Sequence, residues 1–210
     1  MTTKPLNFAH DYLFEDERVL LRPLVPSDFE ILKEFSINEP TLWQYSLLSA
    51  AGLENMKTYL DAAFADKAKG TAYPFIVFDK LTQKYVGSTR FYDYQPVHNT
   101  IQLGYTWYGK DAQGTGLNKH CKFLMLQFAF EELELDRVEF RADNNNARSI
   151  AAMKSIGCTV EGILRSNCSS PTGRRDSIIL SILKDEWIAT VKNRLSNDLI
   201  IQYRRRQQRS

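Results

Sequence analysis

The stretch DAQGTGLNKH, residues 111–120, places two glycines one residue apart between an aromatic run at 103–108 and an apolar run at 123–130. Glycine costs roughly 0.5 to 1 kcal/mol relative to alanine inside a regular element, so a pair at the mouth of a helix implies that something approaches the backbone closely. A helix start offers unpaired N–H groups and the positive end of the helix dipole, which together bind anions. A phosphate is the expected ligand, with the N–H groups of 114–118 and the Gln113 side chain as donors and Lys110 and Lys119 supplying positive potential. Two familiar phosphate motifs do not fit. GYTWYGK at 104–110 has the GxxxxGK spacing, but Asp111 stands where magnesium requires Ser or Thr, and Tyr105, Trp107 and Tyr108 are too bulky for a cradle. Gly114-Thr115-Gly116 opens GxGxxG, but Lys119 replaces the third glycine and no Rossmann unit precedes it.

The elements that must hold this loop follow from pattern. With 210 residues, 43% of them hydrophobic, the chain can bury one sizeable core. Residues 18–24 form a first strand; Ser27 and Glu30 have capping-box spacing for a helix over 28–37, and a polar helix over 51–69 stops at Gly70. Strands at 73–79 and 85–94 make a hairpin, and 100–108 is a fourth strand by its β-branched and aromatic content. After the glycine loop, Leu117, Cys121, Leu124, Met125 and Phe128 recur at helical spacing. A fifth strand at 137–142, a helix at 146–156, strands at 158–165 and 176–183 and a helix from 185 complete an α+β or mixed α/β fold.

Composition limits the partners. Lys plus Arg is 27 against 25 Asp plus Glu, so the net charge of +2 gives no general argument for nucleic acid. The local exception is the tail YRRRQQRS, with Arg204, Arg205, Arg206 and Arg209; its simplest reading is a solvated segment, and an RNA-binding accessory role is the alternative it suggests. No apolar run has signal-peptide character or the ~20 residues a membrane span needs, so a cytoplasmic protein without a membrane partner is expected. Cys121, Cys158 and Cys168 lack a CxxC pair, and His10, His98 and His120 lack metal spacing, so neither disulfides nor a metal are expected.

The segment Gln113-Gly114-Thr115-Gly116-Leu117-Asn118 resembles the Q/R-x-x-G-x-G/A motif of the GNAT superfamily of N-acetyltransferases, with Asn118 departing from the final Gly or Ala. LLRPLVPSDFEIL at 20–32, Asn146-Ala147-Arg148-Ser149 with Ile156-Gly157-Cys158, Glu161 to Arg165, Arg175-Asp176-Ser177 and Asp185-Glu186-Trp187 are similar, in this order, to the RimJ/RimL-type branch; Cys158 in place of Phe is a second departure. The resemblance implies a central, mostly antiparallel sheet flanked by helices and splayed between the fourth and fifth strands, where the pantetheine arm of acetyl-CoA lies. It implies a domain over 18–190, an N-terminal extension over 1–17 and a helical, basic tail over 191–210. Gln113, Gly114, Thr115, Gly116, Leu117 and Asn118 would then hold the coenzyme diphosphate. Asn146 resembles the residue contacting the cofactor arm and also suits a helix N-cap. Ser149 resembles the position that donates to the coenzyme sulfur.

The activity implied is acetyl transfer from acetyl-CoA to a primary amine, either a small molecule or a peptide N-terminus, by direct attack on the thioester. A homodimer is compatible with the family. Many relatives carry a Glu on the fourth strand where this chain has Gln102, and an amide cannot accept a proton. Asp93, His98, Asp176 and water are the remaining candidates for the base, and an inactive acyl-CoA-binding sensor is the alternative function. Phe91, Tyr92, Tyr94, Tyr105 and Trp107 either line the acceptor pocket or are ordinary sheet packing.

Overall fold

The computed structural model describes residues 5–171 and 173–208, the side chains at 205 and 206 excepted. Its centre is one eight-stranded sheet: β1 (Phe14–Glu15), β2 (Val19–Pro23), β3 (Ala72–Asp79), β4 (Lys84–Gln95), β5 (Thr100–Tyr108), β6 (Arg137–Asp143), β7 (Thr159–Ser170) and β8 (Gly173–Leu183). The strands lie in the order β1-β2-β3-β4-β5-β6-β8-β7, and only β5 and β6 run parallel. This is the mostly antiparallel α+β architecture expected, with the short β1 added at one edge.

Helices cover both faces, which is why β3, AYPFIVFD, reads as a continuous apolar run rather than an alternation. Tyr73, Phe75 and Val77 point to the face covered by α3 (Leu117–Gln127), where they join Phe91, Leu117, Cys121 and Met125. Ile76 points the other way, to α1 (Phe29–Asn38) and α2 (Leu53–Ala68), among Leu32, Trp43, Met56, Leu60 and Trp107. The residues before Arg18 are part of this packing: Leu6 is buried, and Phe8, Tyr12 and Phe14 lie against the first cluster. The chain closes with α4 (Ala147–Ser155), a short α5 (Lys184–Glu186), a π-helical turn over Trp187–Val191 and α6 (Lys192–Gln207), whose Leu195 and Leu199 are buried. Among the described residues no helix is long and apolar enough to cross a membrane. The expectation for the tail at Arg205, Arg206 and Arg209 rests on side chains or residues outside the described set.

The first helix start differs from expectation. Ser27 does not cap; a 3-10 turn over Pro26–Asp28 precedes α1, and the Asp28 carboxylate accepts from Val25 N–H (2.9 Å) while Arg22 grips both its oxygens at 2.9 and 2.6 Å. Glu30 pairs with Lys33 instead. The partly buried Arg22–Asp28 bridge fixes Asp28, one residue past Ser27, as the residue from which α1 starts. β7 and β8 are also longer than their apolar cores, because polar, exposed residues carry the hairpin out to Ser170 and Gly173.

Two irregularities in β5 shape the site. β5 pairs with β6 only at Thr100↔Arg137, Ile101↔Val138 and Gln102↔Glu139, whereas β6 pairs with β8 along its length, from Arg137↔Leu183 to Asp143↔Ser177. Beyond Gln102 the two strands therefore diverge into a V. In the same stretch Arg90 opposes Gly104 and Ser88 opposes Trp107, so Tyr105 and Thr106 together face Thr89. This is a β-bulge, with Tyr105 at φ 49°, and a bulge re-aims the side chains around it.

Candidate active site

β5 leads through a 3-10 turn, Lys110–Ala112, into the glycine loop and α3. Gly114 and Gly116 have φ of +73° and +88°, conformations that side chains rarely adopt, so the loop needs glycine at both positions. Among the described residues, no hydrogen bond engages the N–H groups of Gly114, Gly116 and Asn118. The rest of the loop is braced. Thr115 Oγ1 donates to the Ala112 carbonyl (2.8 Å), Leu117 is fully buried beneath the loop, and Asn118 accepts from the Tyr108 hydroxyl (3.2 Å).

Gln113 and Lys119 are less free than the sequence suggested. The Gln113 amide donates to the Tyr108 carbonyl (2.8 Å) and its oxygen accepts from Arg148. Lys119 is bound to Asp198 of α6 at 2.6 Å, so its charge is offset locally. Gln202, one turn further along α6, lies against Gly116, where an added Cβ would meet its Oε1. Arg148, to which the sequence reading gave no role, thus places a guanidinium beside the loop that Lys119 does not supply.

α4 begins where β6 ends, beside the V. Asn146 is its N-cap, accepting from the Ser149 N–H at 3.0 Å. Ser149 is half-buried on the first turn, and among the described residues nothing bonds its hydroxyl. The glycine loop and the start of α4 are thereby joined through Gln113 and Arg148.

Of the candidate bases, Asp93 is the one that meets the fourth-strand position. Gln102 donates to its Oδ2 at 2.6 Å and Gln95 to its Oδ1 at 2.7 Å. Asp176 is exposed and accepts from Ser166 N–H, and His98 is exposed in the β4–β5 turn. The aromatic residues divide. Phe91 and Tyr94 pack against the α3 core, Trp107 stacks edge-on with Phe35 and Trp43, and Tyr92 meets Tyr105 at 5.1 Å near the bulge.

Two polar groups on α3 received no role from the sequence, because helical spacing alone does not show what they meet. Lys122 is buried under the bulge, donating to Thr106 Oγ1 (2.7 Å) and Thr89 Oγ1 (3.1 Å), and burial pushes its pKa down to about 7. Burial likewise pushes the Cys121 and Cys158 thiols up to about 12, so neither gives it a counter-charge near neutrality. His120 is buried too, with Nδ1 2.6 Å from Asp16 and 3.8 Å from Glu17. This clustering arises in space, from residues far apart in the chain.

Comparison with known proteins gives this geometry its relatives. The family described as "Acetyltransferase (GNAT) domain" matches residues 18–159. YdaF of Bacillus subtilis (strain 168), which carries the provisional name of ribosomal N-acetyltransferase, is 28% identical over 178 residues, covering 82% of this chain and 94% of its own. A GCN5-related N-acetyltransferase from Brucella melitensis superposes with a TM-score of 0.84 at 24% identity, over 94% of this chain and 88% of its own. Mycobacterium smegmatis RimJ, solved in complex with CoA-disulfide, shares the fold with a TM-score of 0.75 at 17% identity, over 90% and 93%. These names agree with the resemblance to the RimJ/RimL-type branch. The chain belongs to the GNAT acetyltransferase domain family, whose members are acetyl-CoA-dependent N-acetyltransferases.

Proposed function

We propose that this protein binds acetyl-CoA with its diphosphate on the glycine loop and transfers the acetyl group to a primary amine. The observation that carries the reading is the set of unengaged N–H groups at Gly114, Gly116 and Asn118, at a helix start beside a strand pair that opens after three registered residues. A helix N-terminus favours an anion there. The free edge of β5 beyond Gln102 can bond the pantetheine amides in sheet fashion, and one N–H can stabilise the thioester oxygen as it becomes an oxyanion. The transfer domain is taken as 18–190 and 191–210 as a tail, of which Leu195, Leu199 and Gln202 lie on the α3 side.

The amine must be neutral to attack, and the leaving thiolate needs a donor. Ser149, with its hydroxyl unengaged on the first turn of α4, is assigned to the sulfur. Asp93 is assigned to proton removal, relayed through water: its bond to Gln102 brings a carboxylate to the strand position where relatives place a glutamate. With an exposed carboxylate as the base, amines of low pKa, such as a peptide α-amine or a weakly basic small amine, react most readily.

The test uses Gly114, because an added Cβ there meets nothing within 4 Å. Gly114→Asn and Gly114→Asp carry the same backbone strain and differ in charge. Calorimetry should find acetyl-CoA binding at least tenfold weaker in the Asp variant than in the Asn variant. Equal affinities would remove the diphosphate from this loop.

A further inference from the structure

The α1–α2 side of the sheet holds several buried nitrogens with no acceptor. Arg90 Nε and Nη2, Arg175 Nε, Trp43 Nε1 and Trp107 Nε1 are all enclosed and unbonded. All are donors, so the region lacks acceptors specifically. Arg90 is the centre of it: 2% exposed, in the middle of β4, opposite Gly104 and next to the bulge where β5 leaves β6. Its guanidinium carbon lies 4.1 Å from the ring centroid of Tyr105 and 5.0 Å from that of Tyr59. Those rings cover the faces of the guanidinium. They leave the in-plane N–H groups of Nε and Nη2 unsatisfied, and that edge of the guanidinium is where a carboxylate binds in fork geometry.

Among the described residues no carboxylate oxygen lies within 4.0 Å of Arg90 or Arg175. The positive charge around Tyr105 is felt by its phenol: burial raises the pKa, Arg90 and Arg175 oppose the rise, and Tyr59 and Asp66 add to it. Arg175, on the β7–β8 hairpin, reaches back to the Tyr45 carbonyl (3.3 Å), which closes the basic patch from the far side. An enclosed cation without an anion is expensive unless its partner arrives with a ligand. Access requires little, because Tyr105, the outer wall over Arg90, is 43% exposed.

We propose that the acceptor amine bears a carboxylate that pairs with Arg90 beside Tyr105, with Arg175 adding positive potential. The proposal rests on the acetyl-transfer reading and names its substrate class: a peptide with an acidic residue at its N-terminus, or an amino acid presenting its own carboxylate. Both sources share one chemistry, an amine and a carboxylate a few bonds apart.

The experiment measures acetyl-CoA-dependent thiol release by the full chain with two matched pairs: peptides beginning with Asp or Asn, and a free amino acid against its carboxamide. The acid member of at least one pair is expected to have a kcat/KM at least tenfold higher, and which pair shows it identifies the source. Arg90→Gln should bring that ratio close to one, Arg90→Lys should restore part of it, and Arg175→Gln should lower it severalfold. Ratios within twofold for both pairs in the active wild-type protein overturn the proposal while leaving acetyl transfer intact. If no acceptor is acetylated, the transfer reading fails, and direct titration decides this one. N-acetylglutamate binding the wild-type protein tenfold more tightly than N-acetylglutamine amide, in which both carboxylates are amides, supports it, and equal binding overturns it. That titration and Arg175→Gln also serve if Arg90 variants do not fold.

Discussion

Replacing Lys122 by methionine should change how stability depends on pH, and the direction is fixed by the buried amine. Its pKa is about 7 in the folded protein against an ordinary 10.5. Between those values the unfolded chain binds more protons than the folded one, so stability rises with pH across the interval. At about 1.4 kcal/mol per pH unit, the wild-type protein should gain up to roughly 4 kcal/mol between pH 7 and pH 10 from this group alone. Lys122→Met keeps an unbranched apolar stem one atom shorter than lysine, and the Thr89–Thr106 hydroxyl pair, 2.8 Å apart, still satisfies itself. At pH 6 the variant is therefore expected to be the more stable protein. At pH 10 the order reverses by about 1 kcal/mol, because the neutral amine then supplies hydrogen bonds that methionine lacks. Urea unfolding of both proteins from pH 6 to pH 10 measures this, since groups remote from Lys122 titrate alike and cancel in the difference. Two parallel curves would refute the reasoning and place a charged, hydrated ammonium beneath the bulge.

Ser149→Ala should lower kcat with little change in KM, because an interaction with the departing sulfur is made mainly in the transition state; a raised KM at unchanged kcat would assign Ser149 to binding instead. At pH 7 a peptide with a free α-amine should be acetylated in preference to its N-terminally blocked, lysine-containing counterpart, since the α-amine is neutral more often by roughly two to three powers of ten. Preference for the blocked peptide in a mass-spectrometric competition would mean that a strong base acts here. Burial works to raise the Asp16 carboxyl, but hydrogen bonds from His120, Val19 and Arg18 outweigh it and leave it below 3.8. Its contribution is thus present above that pH and lost as pH falls through the lower folded value. Asp16→Asn should destabilise by about 1–3 kcal/mol at pH 7. In acid-unfolding experiments the gap from wild type should narrow below pH 3.8, and a constant gap would contradict the assignment.

The glycine loop was legible because two residues with positive φ at a helix start leave a mark that few other structures need. Asn146 was legible for a similar reason: a cap is a local device, and its Ser149 partner is three residues away. The order of strands and helices followed from apolar runs broken by polar turns. What the sequence hid was set by distant contacts. The strand β4, covered on both faces, gives no phase by which to tell that Phe91 meets α3 while Arg90 meets α2. Lys122 and His120 look like the wet side of a helix until the bulge at Thr106 and the edge residue Asp16 arrive to receive them. The splay between β5 and β6 was expected from the family resemblance alone, since the parallel pairing depends on β8 holding β6 along its whole length, which no local pattern records.

The contact of α6 with the glycine loop has a consequence for the order of folding. Lys119 and Asp198 are 79 residues apart, and Gln202 lies further on against Gly116. A nascent chain that has just completed α3 therefore possesses the loop's sequence without the wall that encloses it. Closing so long a segment is slow in entropic terms and is repaid only when α6 docks. The loop should consequently be among the last parts of the molecule to become rigid during synthesis, and a chain cut within α5 or α6 would retain most of its sheet while losing a firm seat at Gly116.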